Sequence, residues 1–262
     1  MSWAVSPSGQ VSCESCPIRH RAVCARCEAD EFAQLESMKF YRTYEAGQTI
    51  LFGGDPLEFV ASVVSGVAMA TRTLEDGRTQ MVGLLLPSDF IGRPGRKFAP
   101  FTVSAATDVR LCCFRSKPFA NLIEATPHIA QRLLEMTLDE LDAAREWMLL
   151  LGRKTAREKI ASFLAIIARR YAALAQSAEV GVNGVHLPAP QKLSFDLPLT
   201  RESMSDYLGL TIETVSRQIS ALKRDGVIAL EGNRHVSVPN LDRLLAEAGD
   251  DSEDVLHDSA AE

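Results

Sequence analysis

Residues 127–151 carry a helical pattern with two apolar stripes, and a helix with two faces to bury dictates much of what surrounds it. One stripe is Ile129, Leu133, Met136, Ala143, Trp147 and Leu150; the other is Leu134, Leu138, Leu141, Ala144, Met148 and Leu151. The first face is expected to lie on the chain's own domain and the second on the same helix of another copy, giving a homodimer. Burial of both faces inside one larger monomer is the competing arrangement. Glu135, Asp139, Glu140 and Asp142 crowd the same helix, so two parallel copies repel modestly and a small push can switch the pairing.

The flanks of this helix differ in kind. Residues 40–119 read as short strands punctuated by Gly47, Gly66, Gly77, Gly83 and Gly92, which pack naturally as an antiparallel roll or barrel. A short helix over residues 119–124 ends before Pro127. After Gly152 a further helix is expected to about residue 175, burying Ile160, Phe163, Leu164, Ile167 and Tyr171. Residues 177–198, rich in glycine and proline, read as a loop with one strand near 192–197.

Four cysteines crowd the start as Cys13-x2-Cys16-x7-Cys24-x2-Cys27, with Cys112 and Cys113 far downstream. The first ten residues show neither a basic nor an apolar leader region. No apolar run approaches the roughly 20 residues that cross a bilayer, so a cytoplasmic protein without a membrane partner is expected. There thiols stay reduced, and such spacing points to metal or iron–sulfur binding rather than a disulfide framework. A zinc site on Cys13, Cys16, Cys24 and Cys27 is one possible chemistry, although an inner spacing of seven is short for a zinc ribbon. His20 reads as a solvated loop histidine. Residues 1–30 hold too little apolar material to fold without a ligand.

The net charge of −6 argues at first against nucleic acid, but position matters more than the sum. Residues 242–262 hold eight acids and one arginine, a net −7 that leaves +1 for the rest, and read as an acidic, disordered tail. Arg153, Lys154, Arg157, Lys159, Arg169 and Arg170 form a basic run that can help with phosphates or simply face solvent. Residues 200–225 then read as a helix–turn–helix. Met204, Tyr207 and Leu208 are buried on the first helix, Gly209 makes the turn, and Thr211 caps the second. Val215, Ile219 and Leu222 face inward, leaving Glu213, Ser216, Arg217 and Ser220 outward near the end that enters a major groove. Arginine can take guanine and glutamate can accept from cytosine, whereas an exposed acid is poor for phosphates, so Glu213 makes sense as a base reader. Residues 226–238 complete a β-hairpin wing around Gly232-Asn233.

Thr211-Ile-Glu213-Thr-Val-Ser216-Arg217, in a chain ordered roll, long helix, winged helix–turn–helix, resembles the FNR branch of the CRP/FNR transcription regulators over roughly residues 11–240. The resemblance implies an α+β fold: a cyclic-nucleotide-binding-like antiparallel β-roll, a long dimerisation helix and a C-terminal winged helix–turn–helix. It implies a homodimer on double-stranded DNA at a palindrome like TTGAT-N4-ATCAA, with Glu213 and Arg217 at the G·C pair, Ser216 near the outer thymine, and RNA polymerase as a further partner. It also implies an oxygen-labile 4Fe–4S cluster on Cys13, Cys16, Cys24 and Cys112, with Cys27 as the spare or alternative ligand. Adjacent strand residues point to opposite faces, so Cys113 is expected to pack as a small apolar side chain.

Two departures stand out. Nucleotide-binding relatives use an Arg-Ser/Thr pair that is missing from Pro100-Phe-Thr-Val-Ser104, so no cyclic nucleotide is expected. Ala144 replaces an acid that some relatives carry at the dimer helix.

The resulting expectation is an oxygen-responsive regulator, not an enzyme: no nucleophile–base pair, phosphate loop or acidic metal cluster is evident. Its domains are a cysteine-rich segment (1–30), the roll (31–126), the dimer helix (127–152), the DNA-binding domain (153–241) and the tail. The alternatives are a zinc-stabilised regulator and one answering to haem or another small ligand.

Overall fold

The structure, a computed structural model, describes residues 13–183 and 193–249. The chain divides into two compact units, Met1–Leu141 and Asp142–Glu262.

The first unit opens with turns over residues 13–27 and helix α1 (Ala29–Met38), then forms two four-stranded antiparallel sheets. One has the order β1 (Phe40–Tyr44), β8 (Val109–Arg115), β3 (Phe59–Ser65), β6 (Phe90–Ile91); the other has the order β2 (Thr49–Leu51), β7 (Thr102–Ala105), β4 (Ala68–Thr73), β5 (Thr79–Leu85). Strand alternation feeds two separate cores. Phe59, Ala61 and Val63 of β3 join Leu111 and Cys113 of β8 inside the roll. Val60 and Phe114, from the same strands, face out and are covered by Phe119 and Leu122 of α2 (Ser116–Ala125), Leu35 of α1 and Val23. Phe119 stacks between Phe90 and Phe114, with ring centroids 5.7 and 4.9 Å away. Covering both faces of the β1–β8–β3 sheet is what lets a side chain on its outer face become an interior one. Gly66 makes the tight return after β3: at φ +80 any Cβ there would lie 2.0 Å from the Asp108 carbonyl oxygen.

Helix α3 (Pro127–Arg153) buries Ile129 in the outer core of the first unit, with Leu133 and Met136 packed against it. Near its end Leu150 is buried, and Trp147 stacks on Tyr207 at 4.1 Å in the second unit. Ala143, expected on this stripe, is exposed instead. The other stripe is open along its length, with Leu134 60 %, Leu138 51 % and Met148 74 % exposed.

The second unit packs α4 (Ala156–Asn183), α5 (Arg201–Leu208), α6 (Ile212–Arg224) and α7 (Leu241–Ala248) with a small sheet of order β10 (Ala229–Glu231), β11 (His235–Val238), β9 (Leu193–Asp196). Ile160, Phe163, Leu164 and Ile167 are fully buried, while Tyr171 is half-buried and stacks on Phe195.

Three expectations need correcting. Helix α4 continues to Asn183, so residues 177–183 are helical rather than loop. The first part of the expected tail is helix α7. Asn240 caps it by accepting from the Arg243 amide at 3.0 Å, and Leu244, Leu245 and Ala248 are buried. Averaging eight acids over 21 positions hid the apolar spacing Leu241, Leu244, Leu245, Ala248. The rest of that tail lies outside the described residues. Finally, the cysteine segment is not short of apolar anchors: Ile18, Ala22 and Val23 are buried. Among the described residues no helix is long and apolar enough to cross a membrane.

Candidate metal centre and nucleic-acid interface

A row of three residues across neighbouring strands makes the floor of the candidate metal centre. Cys112 pairs with Tyr41 on one side and Ser62 on the other, so all three side chains share the outer face of the sheet. The cysteine turn lies over that row, closed by short bonds such as Ala22 N to Ile18 O at 2.8 Å. Between them is a cavity of about 30 Å³, lined by Cys13, Cys16, Cys24 and Cys112 together with Lys39, Tyr41 and Ser62. Cys27 is outside this lining and packs against the outer core. Cys113 is buried inside the roll, as the alternation predicts. His20 is exposed.

The thiols sense one another. Burial, then the neighbouring Cys16, Cys27 and Cys13, push Cys24 up to about 12. Burial, then Cys16, Cys13 and Cys24, hold Cys112 well above the usual thiol range. Burial also raises Cys13 and Cys16, opposed by Lys39. Cys27 is pushed up to about 11 by burial and by Glu31. Such thiols stay protonated until a metal's charge displaces the protons. Lys39 Nζ lies 2.7 Å from Cys13 Sγ and 3.0 Å from Glu36 Oε1. Ser62 Oγ is buried without a hydrogen-bond partner.

Four thiols are a donor set that an iron–sulfur cluster or a single tetrahedral ion can use. Tetrahedral zinc, at about 2.3 Å from each sulfur, needs its ligands to converge on a point. Among the described residues no three His, Cys, Asp or Glu side chains form a ready-made metal site. Four thiols around a shared space with an unpaired hydroxyl fit an iron–sulfur cluster, whose sulfurs accept hydrogen bonds.

The turn is also tied to α3. Arg132 donates to the Arg21 carbonyl at 2.7 Å and pairs with Glu135 at 3.2 Å, while Arg26 reaches Glu135 at 3.2 Å. His128 Nδ1 sits 2.8 Å from Glu31 of α1; that bond raises the histidine's pKa and lowers the glutamate's.

In the second unit, Thr200 and Thr211 cap α5 and α6 by accepting amide bonds, and Gly209 turns between them at φ 62. Val215, Ile219 and Leu222 are buried, so Glu213, Ser216, Arg217 and Ser220 are exposed. Glu213 and Arg217 pair with each other at 2.5 Å, both largely in solvent. Ile212, 49 % exposed beside them, is an apolar group on the same end of the helix that the sequence reading passed over. The wing strands pair Ala229 with Ser237 and Glu231 with His235. Two members of the basic run are held within the chain: Lys159 is buried and donates to the Leu208 carbonyl, and Arg157 is held by Asp225 at 2.8 Å and Glu247 at 2.6 Å. Both are structural cations.

The Crp-like helix-turn-helix domain matches residues 158–247, and the cyclic nucleotide-binding domain matches residues 41–126. The transcriptional activator protein FnrL of Cereibacter sphaeroides is 67 % identical over 92 % of this chain and 93 % of its own length. The chain belongs to the CRP/FNR family, in its FNR branch. A probable transcriptional activator of Rhizobium leguminosarum bv. viciae is 41 % identical over 89 % of this chain and 92 % of its own. The solved structure of FixK2 from Bradyrhizobium japonicum superposes with a TM-score of 0.67, at 30 % identity, over 82 % of this chain and 98 % of that one. CRP/FNR members are transcription regulators rather than enzymes, and the helix–turn–helix of this member is a DNA-binding element. Its roll shares the fold of nucleotide-binding domains, while residues 100–104 lack an arginine.

Proposed function

We propose that this regulator responds to oxygen through a 4Fe–4S cluster held by Cys13, Cys16, Cys24 and Cys112, with Cys27 as the spare, and that the loaded homodimer binds a palindrome like TTGAT-N4-ATCAA. The observation that carries the reading is the single cavity faced by four thiols from segments about ninety residues apart. When bound, the cluster supplies a group that oxygen degrades. The four thiolates fasten the N-terminal turn to β8. The fastened turn places the Arg21 carbonyl and Arg26 where Arg132 and Glu135 of α3 meet them. Loss of the thiolate anchors releases those contacts and α3 with them, and the dimer's opposed acids favour separation. The paired form recruits or blocks RNA polymerase in the cytoplasm.

The test is direct. Anaerobically purified protein should contain iron and sulfide, show a visible iron–sulfur band and bind the palindrome as a dimer. Exposure to air or an iron chelator should remove band and binding together. Protein that binds equally well with and without iron sinks the reading.

At the operator, Glu213 and Arg217 exchange their mutual pair for the G·C edge. An exposed pair of this kind contributes at most about 1 kcal/mol, so the exchange is cheap. Arg217→Ala should weaken binding by about 1–3 kcal/mol per half-site, roughly 5- to 150-fold, and relax the choice at that base pair. Binding titrations against operators varied at single positions measure this. A loss that is uniform across sequences would make Arg217 a phosphate contact instead.

A further inference from the structure

Besides the thiols, the cavity lining carries the polar groups of Lys39, Tyr41 and Ser62, and two of these bear on a bound cluster. Ser62 is 2 % exposed, and its hydroxyl has no partner. An unpaired buried hydroxyl is costly, and such groups persist where something else satisfies them. Strand register sets Ser62 beside Cys112, on the face that looks into the cavity. Lys39 comes from the opposite side, its side chain 7 % exposed at the end of α1 and its ammonium on Cys13. The same ammonium lies 3.0 Å from Glu36 Oε1. Glu36, its other partner, is 43 % exposed and therefore better screened than the lysine it faces.

We infer that Ser62 and Lys39 are positioning residues for the cluster: the hydroxyl donates to a cluster or ligand sulfur, and the ammonium offsets the negative charge that four thiolates bring. This rests on the cluster reading above. Hydrogen bonds to the sulfurs and nearby charge both set an iron–sulfur group's reduction potential. Removing either donor makes the more negative, reduced state less favourable. The potential then falls, and the group gives electrons to oxygen more readily.

The two residues leave different signatures. In Ser62→Ala the cluster-free chain loses an unsatisfied buried group, so its melting temperature should rise or hold. The loaded chain should show a lower midpoint potential and a several-fold faster loss of the visible band in air. Lys39→Met should lower the potential and shorten the lifetime further, Lys39→Arg should restore both, and Glu36→Gln should move the potential upward. Opposite signs at Lys39 and Glu36 are not what a merely structural role produces. Should Lys39→Met fail to fold, Lys39→Gln with the Ser62→Ala and Glu36→Gln measurements decides the matter. Parent protein that takes up no cluster overturns the cluster reading and this inference together. A loaded parent whose Ser62→Ala and Lys39 variants keep its potential and lifetime overturns this inference alone.

Discussion

Cys112→Ser is expected to abolish the visible iron–sulfur band and, with it, anaerobic DNA binding, while Cys27→Ser leaves both near the parent's level. The contrast follows from where the two thiols stand. Cys112 lines the cavity from the sheet and feels three of the N-terminal thiols; Cys27 lies outside the lining and answers to Glu31. A cluster with three thiolates lacks the one thiolate that the sheet supplies, so the turn is held to β8 by its apolar contacts alone even if some iron stays bound. Loss of a ligand should exceed the 10- to 100-fold cost typical of an outer-shell change. Cys113→Ser provides the internal control. Its hydroxyl would be buried in the roll core at a cost of about 1–3 kcal/mol, lowering stability while sparing the band. Iron and sulfide analysis with visible spectra of the three variants measures the effect. A Cys112→Ser protein with a full band, or a Cys27→Ser protein without one, removes the ligand assignment.

Leu138→Asp should convert the loaded protein to a monomer without unfolding it. Leu134, Leu138, Leu141, Met148 and Leu151 are exposed in the single chain, so the substitution removes little of what the chain buries within itself. In a symmetric pair every change counts twice. Two leucines at about 1.5–3 kcal/mol each come to roughly 3–6 kcal/mol, or about 10²- to 10⁴-fold in the dimer dissociation constant. The added aspartates also join an already acidic helix. Leu149, 57 % exposed, lies on the flank of the same face and should show a smaller effect. Sedimentation of the anaerobic protein, alongside melting of the cluster-free chain, separates lost pairing from lost folding. A Leu138→Asp dimer of parental affinity would mean that α3 is covered by something other than its own copy.

How much of this could be read from the chain alone depends on the reach of the pattern. Helix α3 and the helix–turn–helix were legible because their spacing repeats within one element: Val215, Ile219 and Leu222 define which side Arg217 must take. Cys113 was legible because period-two alternation leaves it no route to the outer face. Helix α1 went unseen because it is ten residues with a weak apolar stripe, and α7 because the acids around it dominate any average. Cys112 as a fourth thiol came from resemblance, since nothing local to residues 109–115 distinguishes it. Ser62 and Lys39 had no local signal of any kind. They reach one cavity only because β3 pairs with β8 in a particular register and α1 ends beside the cysteine turn.

The bond from Arg132 to Arg21 ends on a main-chain oxygen rather than a side chain. Under the proposed function, what α3 registers is the position of the turn's backbone at Arg21 together with one side chain, Arg26, which meets Glu135. A loop read in this way can change at its other surface positions without touching either contact. The proposed signal thus passes through one carbonyl and one guanidinium, two points of contact between the sensing turn and its output helix.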